Sequence, residues 1–263
     1  MKKKVTAATL VSAKQANSPL VWLTAYDAGA ARIAEEAGVD VILVGDSLGM
    51  VNLGFDSTLP VTLEHMILHT SSVVRGCNTP WVVCDLPFGS YQQSKKQAFE
   101  TSVSVLQQTG CDAVKIEGGA HMTETIQFLS DRGIAVVGHI GMTPQSTKKY
   151  GNFKQRGAND TERETIFHDA IAINKAGAVA LVLEHIPADL SAEITTNISI
   201  PTVGIGAGPS CDAQVLVWHD LLGLSEKSPP FAKAYINLRA QAVNAISQWA
   251  SDVRDTTFPG EHQ

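Results

Sequence analysis

The chain has few of the features that mark membrane, nucleic-acid-binding or disulfide-stabilised proteins. No stretch of about 18 consecutive apolar residues occurs, so the sequence predicts no membrane span. Aromatic residues make up 6% of the 263 residues, and 20 Lys and Arg residues against 26 Asp and Glu give a net charge of −6. Without a basic cluster or aromatic stacking platforms, a small-molecule partner is favoured over nucleic acid or a membrane surface.

Cysteine is also scarce. The four cysteines, Cys77, Cys84, Cys111 and Cys211, form no C-x-x-C pair. Two of them lie within or beside apolar runs, where cysteine packs as a small hydrophobic residue. We therefore expect reduced, packing cysteines rather than a disulfide framework.

The first residues resemble a secretory signal, because a basic stretch at 2–4 precedes mostly small and apolar residues at 5–13. Two threonines and a serine interrupt that second stretch, and Lys14 follows it directly. The core of a signal peptide is apolar without interruption. An amphipathic helix capped by Thr6 is therefore favoured.

The rest of the chain alternates between short apolar runs and amphipathic patterns, as in α/β proteins with a parallel sheet. Strands are predicted at 20–26, 39–45, 81–85, 113–117, 135–139, 180–184 and 201–206, and helices at 28–37, 61–74, 94–108, 123–130, 162–175 and 235–253. The run 215–219 fits either an eighth strand or part of a helix. Eight βα units would close a barrel, whereas six or seven more often leave an open sheet. With no linker visible, one domain over residues 1–263 is predicted.

Three carboxylates stand at the ends of three of these apolar runs. Asp46, Asp85 and Glu117 each follow a run of apolar residues and precede turn residues. Ligands of parallel sheets gather at the carboxyl ends of the strands, so these side chains are expected to converge. Three oxygen ligands without a thiolate suit Mg²⁺ better than zinc. The alternative, for each aspartate taken singly, is the cap of the following helix.

Two further charged residues lie on predicted strands. Lys115 precedes Glu117 by two residues, so both side chains share one face, and a lysine in an apolar run needs a partner. A purely structural buried Lys–Glu pair is the alternative interpretation. Glu184 ends a later run in the same way, a position that suits a general base rather than a fourth metal ligand.

Other signals are weaker. His65 and His69 have a metal-ligand spacing on a predicted helix, but no H-E-x-x-H pattern accompanies them, so a solvated helix face is favoured. The glycine run 204–208 lacks the last glycine of G-x-G-x-x-G and is interpreted as a tight turn at the end of a strand. His139, at a strand end, could contact a substrate or be a satisfied core histidine.

Several sequence motifs resemble those of the ketopantoate hydroxymethyltransferase family. They occur in the family's order and cover nearly the whole chain: TAYD (24–27), VGDSLG (44–49), DSTLPVT (56–62), DLPF (85–88), VKIEGG (114–119), GHIGMTPQS (138–146), GIGAG (204–208) and HD (219–220). The resemblance implies a (β/α)8 TIM barrel with an N-terminal capping helix and a C-terminal helix. It further implies a magnesium-dependent, cytoplasmic enzyme that forms a homo-oligomer, commonly a decamer.

The resemblance also implies an activity. The family transfers a hydroxymethyl group from 5,10-methylenetetrahydrofolate to 3-methyl-2-oxobutanoate by metal-assisted enolisation, giving 2-dehydropantoate for pantothenate and coenzyme A synthesis. Carried over by motif, Asp46, Asp85 and Glu117 fall on metal positions and Glu184 on the catalytic base. The keto-acid positions are Asp46, Ser47, Asp85 and Lys115.

The sequence departs from the family pattern at two places. Phe55 follows Gly54 where the family usually has histidine, and Pro230 stands where the family has the lysine of a P-K-F motif. Both departures bear on folate-side contacts or loop packing rather than on the carboxylates.

Two other functions remain as alternatives. A Mg²⁺-dependent lyase or mutase of the phosphoenolpyruvate mutase and isocitrate lyase type would use similar acids, but its K-K-C-G-H-like loop is missing. A non-catalytic metabolite-binding barrel would be expected to lack an acid or the base, and here all are present.

Overall fold

A closed barrel of eight parallel strands forms the centre of the fold. The computed structural model describes residues 3–151 and 153–260. The strands pair in chain order, and β1 also pairs with β8. They are β1 Leu20–Thr24, β2 Val41–Val44, β3 Trp81–Asp85, β4 Ala113–Glu117, β5 Val136–Gly141, β6 Ala180–Glu184, β7 Thr202–Ile205 and β8 Ala213–Leu216. The (β/α)8 prediction is confirmed.

Helices separate the strands, and each helix predicted from the sequence is present, whereas those at 48–51, 147–150 and 188–197 were not predicted. The helices are α1 Ala7–Gln15, α2 Ala28–Glu36, α3 Leu48–Val51, α4 Leu63–Gly76, α5 Lys95–Thr109, α6 Thr123–Ser130, α7 Thr147–Tyr150, α8 Asp160–Lys175, α9 Ala188–Asn197, α10 Trp218–Leu221 and α11 Leu238–Arg254. Short 3₁₀ turns occupy Ala120–Met122 and Pro144–Ser146. None of the helices in the described ranges is both long enough and apolar enough to cross a membrane.

The ambiguous run 215–219 contains parts of two elements. Strand β8 ends at Leu216, and helix α10 begins at Trp218.

Two other elements begin later than predicted. β2 begins two residues late, because the N–H of Val39 bonds to Ala34 O, so that Val39 belongs to the end of α2. Likewise α11 begins at Leu238 rather than 235, where Asn237 accepts from the N–H of Ala240.

Helix α1 closes the amino-terminal end of the barrel, as predicted. The Thr6 hydroxyl accepts a hydrogen bond from Thr9 N, which begins the helix. Leu10 is fully buried in the apolar cluster of barrel residues. Two lysines fix the helix on either side, because Lys4 Nζ lies 2.9 Å from Asp112 Oδ2 and Lys14 Nζ lies 2.7 Å from Asp212 Oδ2.

The chain forms two compact units, the first of which ends at Leu216 and the second of which begins at Val217. The first contains the whole barrel, and the second contains α10 and the predicted C-terminal helix, α11. One domain over 1–263 stays a prediction. The four cysteines are free and buried, as expected.

Candidate active site

Side chains facing the barrel interior change from apolar to polar along the strands. Near the amino-terminal ends they form an apolar cluster. Side chains alternate with period two, so the same interior face continues towards the carboxyl ends of the strands. The buried or half-buried residues there are Asp85, Lys115, Glu117, His139 and Glu184. The barrel therefore gathers charged groups at the end where parallel barrels bind ligands.

Asp85 and Lys115 are neighbours because β3 and β4 pair at these two residues. Lys115 Nζ lies 3.2 Å from Asp85 Oδ1, and both side chains are buried. Asp46 follows the end of β2, and its backbone N–H donates to Asp85 Oδ2 at 3.0 Å. Asp85 Oδ1 therefore faces the ammonium group of Lys115, while Oδ2 accepts from the backbone.

His139 links Glu117 to Glu184. Glu117 and His139 are paired positions of β4 and β5. His139 Nδ1 lies 3.5 Å from Glu117 Oε1, and Nε2 lies 3.2 Å from Glu184 Oε2. Lys115 Nζ is 3.1 Å from His139 Nδ1 and 4.0 Å from Glu117 Oε1. The predicted base thus lies one imidazole ring away from a predicted metal-binding carboxylate.

Burial and mutual repulsion disfavour the charged forms of two carboxylates. Burial raises the pKa of Asp46 well above its ordinary value, and the charges of Asp85 and Glu117 raise it further. Burial also raises the pKa of Asp85, more than the charge of Lys115 lowers it. A positive charge placed near both would favour their ionised forms.

The other groups are shifted mainly by their charged neighbours. Burial acts to raise the pKa of Glu117, but contacts with His139 and Lys115 hold it below its ordinary value. Burial acts to lower the pKa of Lys115, but the charges of Asp85, Glu117 and Asp46 raise it. Burial and Lys115 lower the pKa of His139, yet Glu117 and Glu184 raise it more, to about 9.

Gln145 is a central residue that the sequence did not single out. Its side-chain amide donates 2.9 Å bonds to Asp46 Oδ2 and to Leu86 O, while its backbone N–H donates to Glu117 Oε2 at 3.0 Å. Its amide oxygen accepts from the Tyr91 hydroxyl at 2.7 Å. Gln145 therefore holds two predicted metal ligands in place. The signal that could have identified Gln145 in the sequence is its position within the motif at 138–146.

Ser47 lies beside the carboxylates. It follows Asp46 directly, is half-buried, and its hydroxyl lies 3.0 Å from the buried Tyr26 hydroxyl. Every site residue predicted from the sequence thus lies at the carboxyl end of the barrel strands or in the turn that follows.

The carboxylate oxygens of the site suit a hard cation, although they are not already arranged as a complete metal-binding site. Across residues 3–151 and 153–260, no group of three or more His, Cys, Asp or Glu side chains is arranged to hold a metal ion. Both Glu117 oxygens already face protein groups, and Asp85 Oδ1 faces the Lys115 ammonium group at 3.2 Å, so a cation would share these oxygens with the protein. Mg²⁺ keeps several waters and commonly uses one or two carboxylates. Asp46 and Asp85 could therefore hold it directly, with Glu117 acting through water.

The weaker sequence signals have structural explanations. His65 Nδ1 accepts from Thr62 N in the cap of α4, and His69 Nδ1 lies 2.6 Å from Tyr26 O, so the two rings do not form a metal pair. The glycine run begins within β7 and continues into the turn that follows, where Gly206 has a φ of 61°. Phe55 packs near His65, with ring centroids 6.2 Å apart.

The sequence matches known proteins over almost its full length. The family model for ketopantoate hydroxymethyltransferase matches residues 4–261. The 3-methyl-2-oxobutanoate hydroxymethyltransferase of Acaryochloris marina is 51% identical over 97% of this chain and 99% of its own length. The enzyme of the same name from Rippkaea orientalis is 53% identical over 95% of this chain and 97% of its own.

A solved structure of similar shape is 2,3-dimethylmalate lyase, described as a member of the PEP mutase/isocitrate lyase superfamily. It has a TM-score of 0.60 and 17% identity, and the match covers 97% of this chain and 90% of the lyase. At that identity the likeness shows a shared fold. The family match, by contrast, confirms both the resemblance and the predicted enzyme class, and the chain belongs to the ketopantoate hydroxymethyltransferase family.

Proposed function

We propose that the protein transfers a hydroxymethyl group from 5,10-methylenetetrahydrofolate to 3-methyl-2-oxobutanoate, in the pathway to pantothenate. The observation that carries the proposal is the grouping of two aspartates, a lysine and two glutamates at one end of the barrel, in a chain of this family. The overall reaction consumes water and yields 2-dehydropantoate and tetrahydrofolate.

Asp46 and Asp85 are the proposed direct ligands of Mg²⁺, and Glu117 completes the site. When bound, a divalent cation supplies Lewis acidity at the ketone oxygen of the substrate. The burial that raises the pKa of both Asp46 and Asp85 supports this assignment. A cation would stabilise both ionised groups.

Glu184 is the proposed base that removes the C3 proton of the keto acid. Its side chain is 19% exposed and belongs to a strand end, so it can reach a substrate while its position is fixed. His139 supports that position, since its Nε2 lies 3.2 Å from Glu184 Oε2. The electron pair left on C3 forms the new bond to the one-carbon unit, and water provides the oxygen of the hydroxymethyl group.

Lys115 and Ser47 are the proposed binding groups for the keto-acid carboxylate. Asp46 and Asp85 are the other two keto-acid positions that the resemblance implies. Three protein carboxylates and an anionic substrate exceed the charge of one divalent ion by about two negative charges. The buried ammonium group of Lys115 offsets part of this excess. The Ser47 hydroxyl is held by Tyr26 and can donate to a substrate oxygen.

The proposal extends to a cytoplasmic homo-oligomer, with a decamer as the family resemblance implies. Helix α11 supports an association surface, because none of its residues is buried. Val243, Ile246, Trp249 and Val253 are each 43–61% exposed on this helix. Exposed apolar patches of this kind mark interaction sites. Light scattering measures the mass of the assembly directly.

The activity is tested with ¹³C-labelled 5,10-methylenetetrahydrofolate, 3-methyl-2-oxobutanoate and Mg²⁺, followed by NMR. A labelled hydroxymethyl carbon on the product is the expected result. The same preparation is offered 2,3-dimethylmalate, the substrate in the name of the structural neighbour. Cleavage of that compound without hydroxymethyl transfer would replace the proposal by the lyase alternative.

A further inference from the structure

A cavity of about 550 Å³ adjoins the carboxylates on one side. It is lined by the ends of β4 and β5, by residues that follow β3, β4 and β5, and by α8 between residues 161 and 169. Glu117 and Gln145 form part of its wall, whereas Asp46, Asp85 and Glu184 do not line it. The cavity is therefore a neighbour of the proposed keto-acid site rather than the site itself.

The cavity is too large for the keto acid and is well placed for a second substrate. Ligand sites of about 300–1,000 Å³ accept molecules of drug size, and a five-carbon keto acid is far smaller. Gly141 lines the cavity and is the paired position of Glu184 across β5 and β6. A ligand in the cavity would thus extend towards the carbon from which Glu184 takes the proton.

Asp169 is a half-buried carboxylate on the cavity wall. It lies on α8, and its Oδ1 accepts a 2.7 Å hydrogen bond from Ala120 N. Gly119 allows this approach, because a Cβ at that position would overlap the carboxylate. None of the described residues donates a hydrogen bond to Oδ2. A carboxylate oxygen can accept two bonds, so Asp169 retains capacity for a ligand with adjacent N–H donors.

We propose that this cavity binds the pterin ring of the one-carbon donor, with Asp169 accepting the hydrogen bonds of its N3–H and 2-amino groups. This inference rests on the proposed function. The two donors of the ring lie side by side and match the two oxygens of a carboxylate. Phe88 and Ile140 supply apolar walls for the ring system.

One part of the cavity wall has two cationic side chains against one carboxylate, Glu162, and this net positive charge fits the donor's glutamate tail. Lys149 and Arg156 both line the cavity. Arg156 is held in place by Glu162, at 3.3 Å, and by the ring of Tyr150, at 4.2 Å from its centroid. Lys149 is exposed. An anionic tail would gain ion pairs here, while the neutral ring lies deeper, against Asp169.

The test compares Asp169→Asn with Glu164→Gln, a change on the same helix at an exposed position outside the cavity. Binding of 5-formyltetrahydrofolate, a stable analogue with the same pterin, is measured by calorimetry. Asp169→Asn is expected to weaken binding by roughly 10- to 100-fold, the usual effect of losing hydrogen bonds to a charged group. Glu164→Gln should bind as the wild type does.

A second measurement separates recognition from a structural effect. Asparagine can still accept from Ala120 N, so exchange of the C3 proton of the keto acid, with Mg²⁺ and without folate, should stay unchanged in Asp169→Asn. A parallel loss of exchange would mean that Asp169 acts through the loop that carries Glu117, and would overturn the proposal. Wild-type affinity of Asp169→Asn for the analogue would also overturn the proposed role of Asp169. If C3-proton exchange and product formation were unimpaired at the same time, the proposed function would still stand.

The tail contact is tested with a fragment. Lys149→Ala should weaken binding of 5-formyltetrahydrofolate while leaving 6-methyltetrahydropterin, which has no glutamate tail, unaffected. Equal loss for both ligands would contradict the proposed direction of the donor in the cavity. A wild-type protein that neither exchanges the C3 proton nor binds the analogue would overturn the proposed function and this inference together.

Discussion

Replacing Lys115 with methionine removes a buried ammonium group while keeping the length of the side chain. Lys115 is 4% exposed and lies 3.2 Å from Asp85 Oδ1 and 4.0 Å from Glu117 Oε1. Removing one partner of a buried ion pair costs about 3–5 kcal/mol, because the other charge is left uncompensated. For a chain of this size, each kcal/mol lowers Tm by about 2–4 °C, so a decrease of roughly 6–20 °C is expected.

The loss of stability in Lys115→Met should depend on pH. Burial already raises the pKa of Asp85 in the wild type, and loss of the neighbouring cation raises it further. A carboxyl whose pKa is higher in the folded state loses stability as pH rises from its unfolded to its folded pKa. The deficit relative to wild type, measured by urea unfolding, should therefore be smaller near about pH 5 than near about pH 8.

Lys115→Met should bind the keto acid more weakly than the wild type and Mg²⁺ more tightly. The keto acid should bind roughly 10- to 100-fold more weakly, since a charged hydrogen bond is lost. Mg²⁺ should bind more tightly in the absence of substrate, because a repelling charge is gone. Lys96→Met, at a side chain that is 83% exposed, is the control and should change neither quantity. Unchanged keto-acid affinity in Lys115→Met would refute the assignment of Lys115.

Three further changes have defined outcomes. Gln145→Leu removes the amide donor to Asp46 and should weaken Mg²⁺ binding, measured by calorimetry, while a wild-type affinity would contradict its positioning role. Gly76→Ala would bring a Cβ within 2.6 Å of the backbone of Ala28, so urea unfolding should show a loss of about 1–3 kcal/mol. Leu10→Ala should cost about 2–5 kcal/mol in the same assay, because Leu10 is fully buried under the barrel.

The strands that hold the site residues were predictable because they are buried on both faces. β3, β4 and β6 begin and end at the predicted residues. The eighth strand could not be predicted, because a four-residue run is too short to show whether its apolar residues have the period of a strand or of a helix. Its identity follows from pairing with both β1 and β7, which is a long-range property of the closed barrel.

The charged residues of the site were also visible in the sequence, whereas the residues that orient them were not. Asp85, Glu117 and Glu184 end strands, so their position alone places them at the ligand-binding end. Gln145 lies in a 3₁₀ turn and Tyr91 in an irregular segment, where no periodicity predicts orientation. His139 was singled out at a strand end, but the sequence left open whether it contacts a substrate or packs in the core, because its partners Glu117 and Glu184 come from the two neighbouring strands.

Exchange of the C3 proton of 3-methyl-2-oxobutanoate for deuterium tests the central claim most directly. NMR follows the exchange with Mg²⁺ and without folate, so it isolates the enolisation step from hydroxymethyl transfer. The account predicts exchange by the wild type that requires the divalent cation and is lost in Glu184→Gln. Exchange at the wild-type rate in Glu184→Gln, or in the presence of a chelator, would contradict it.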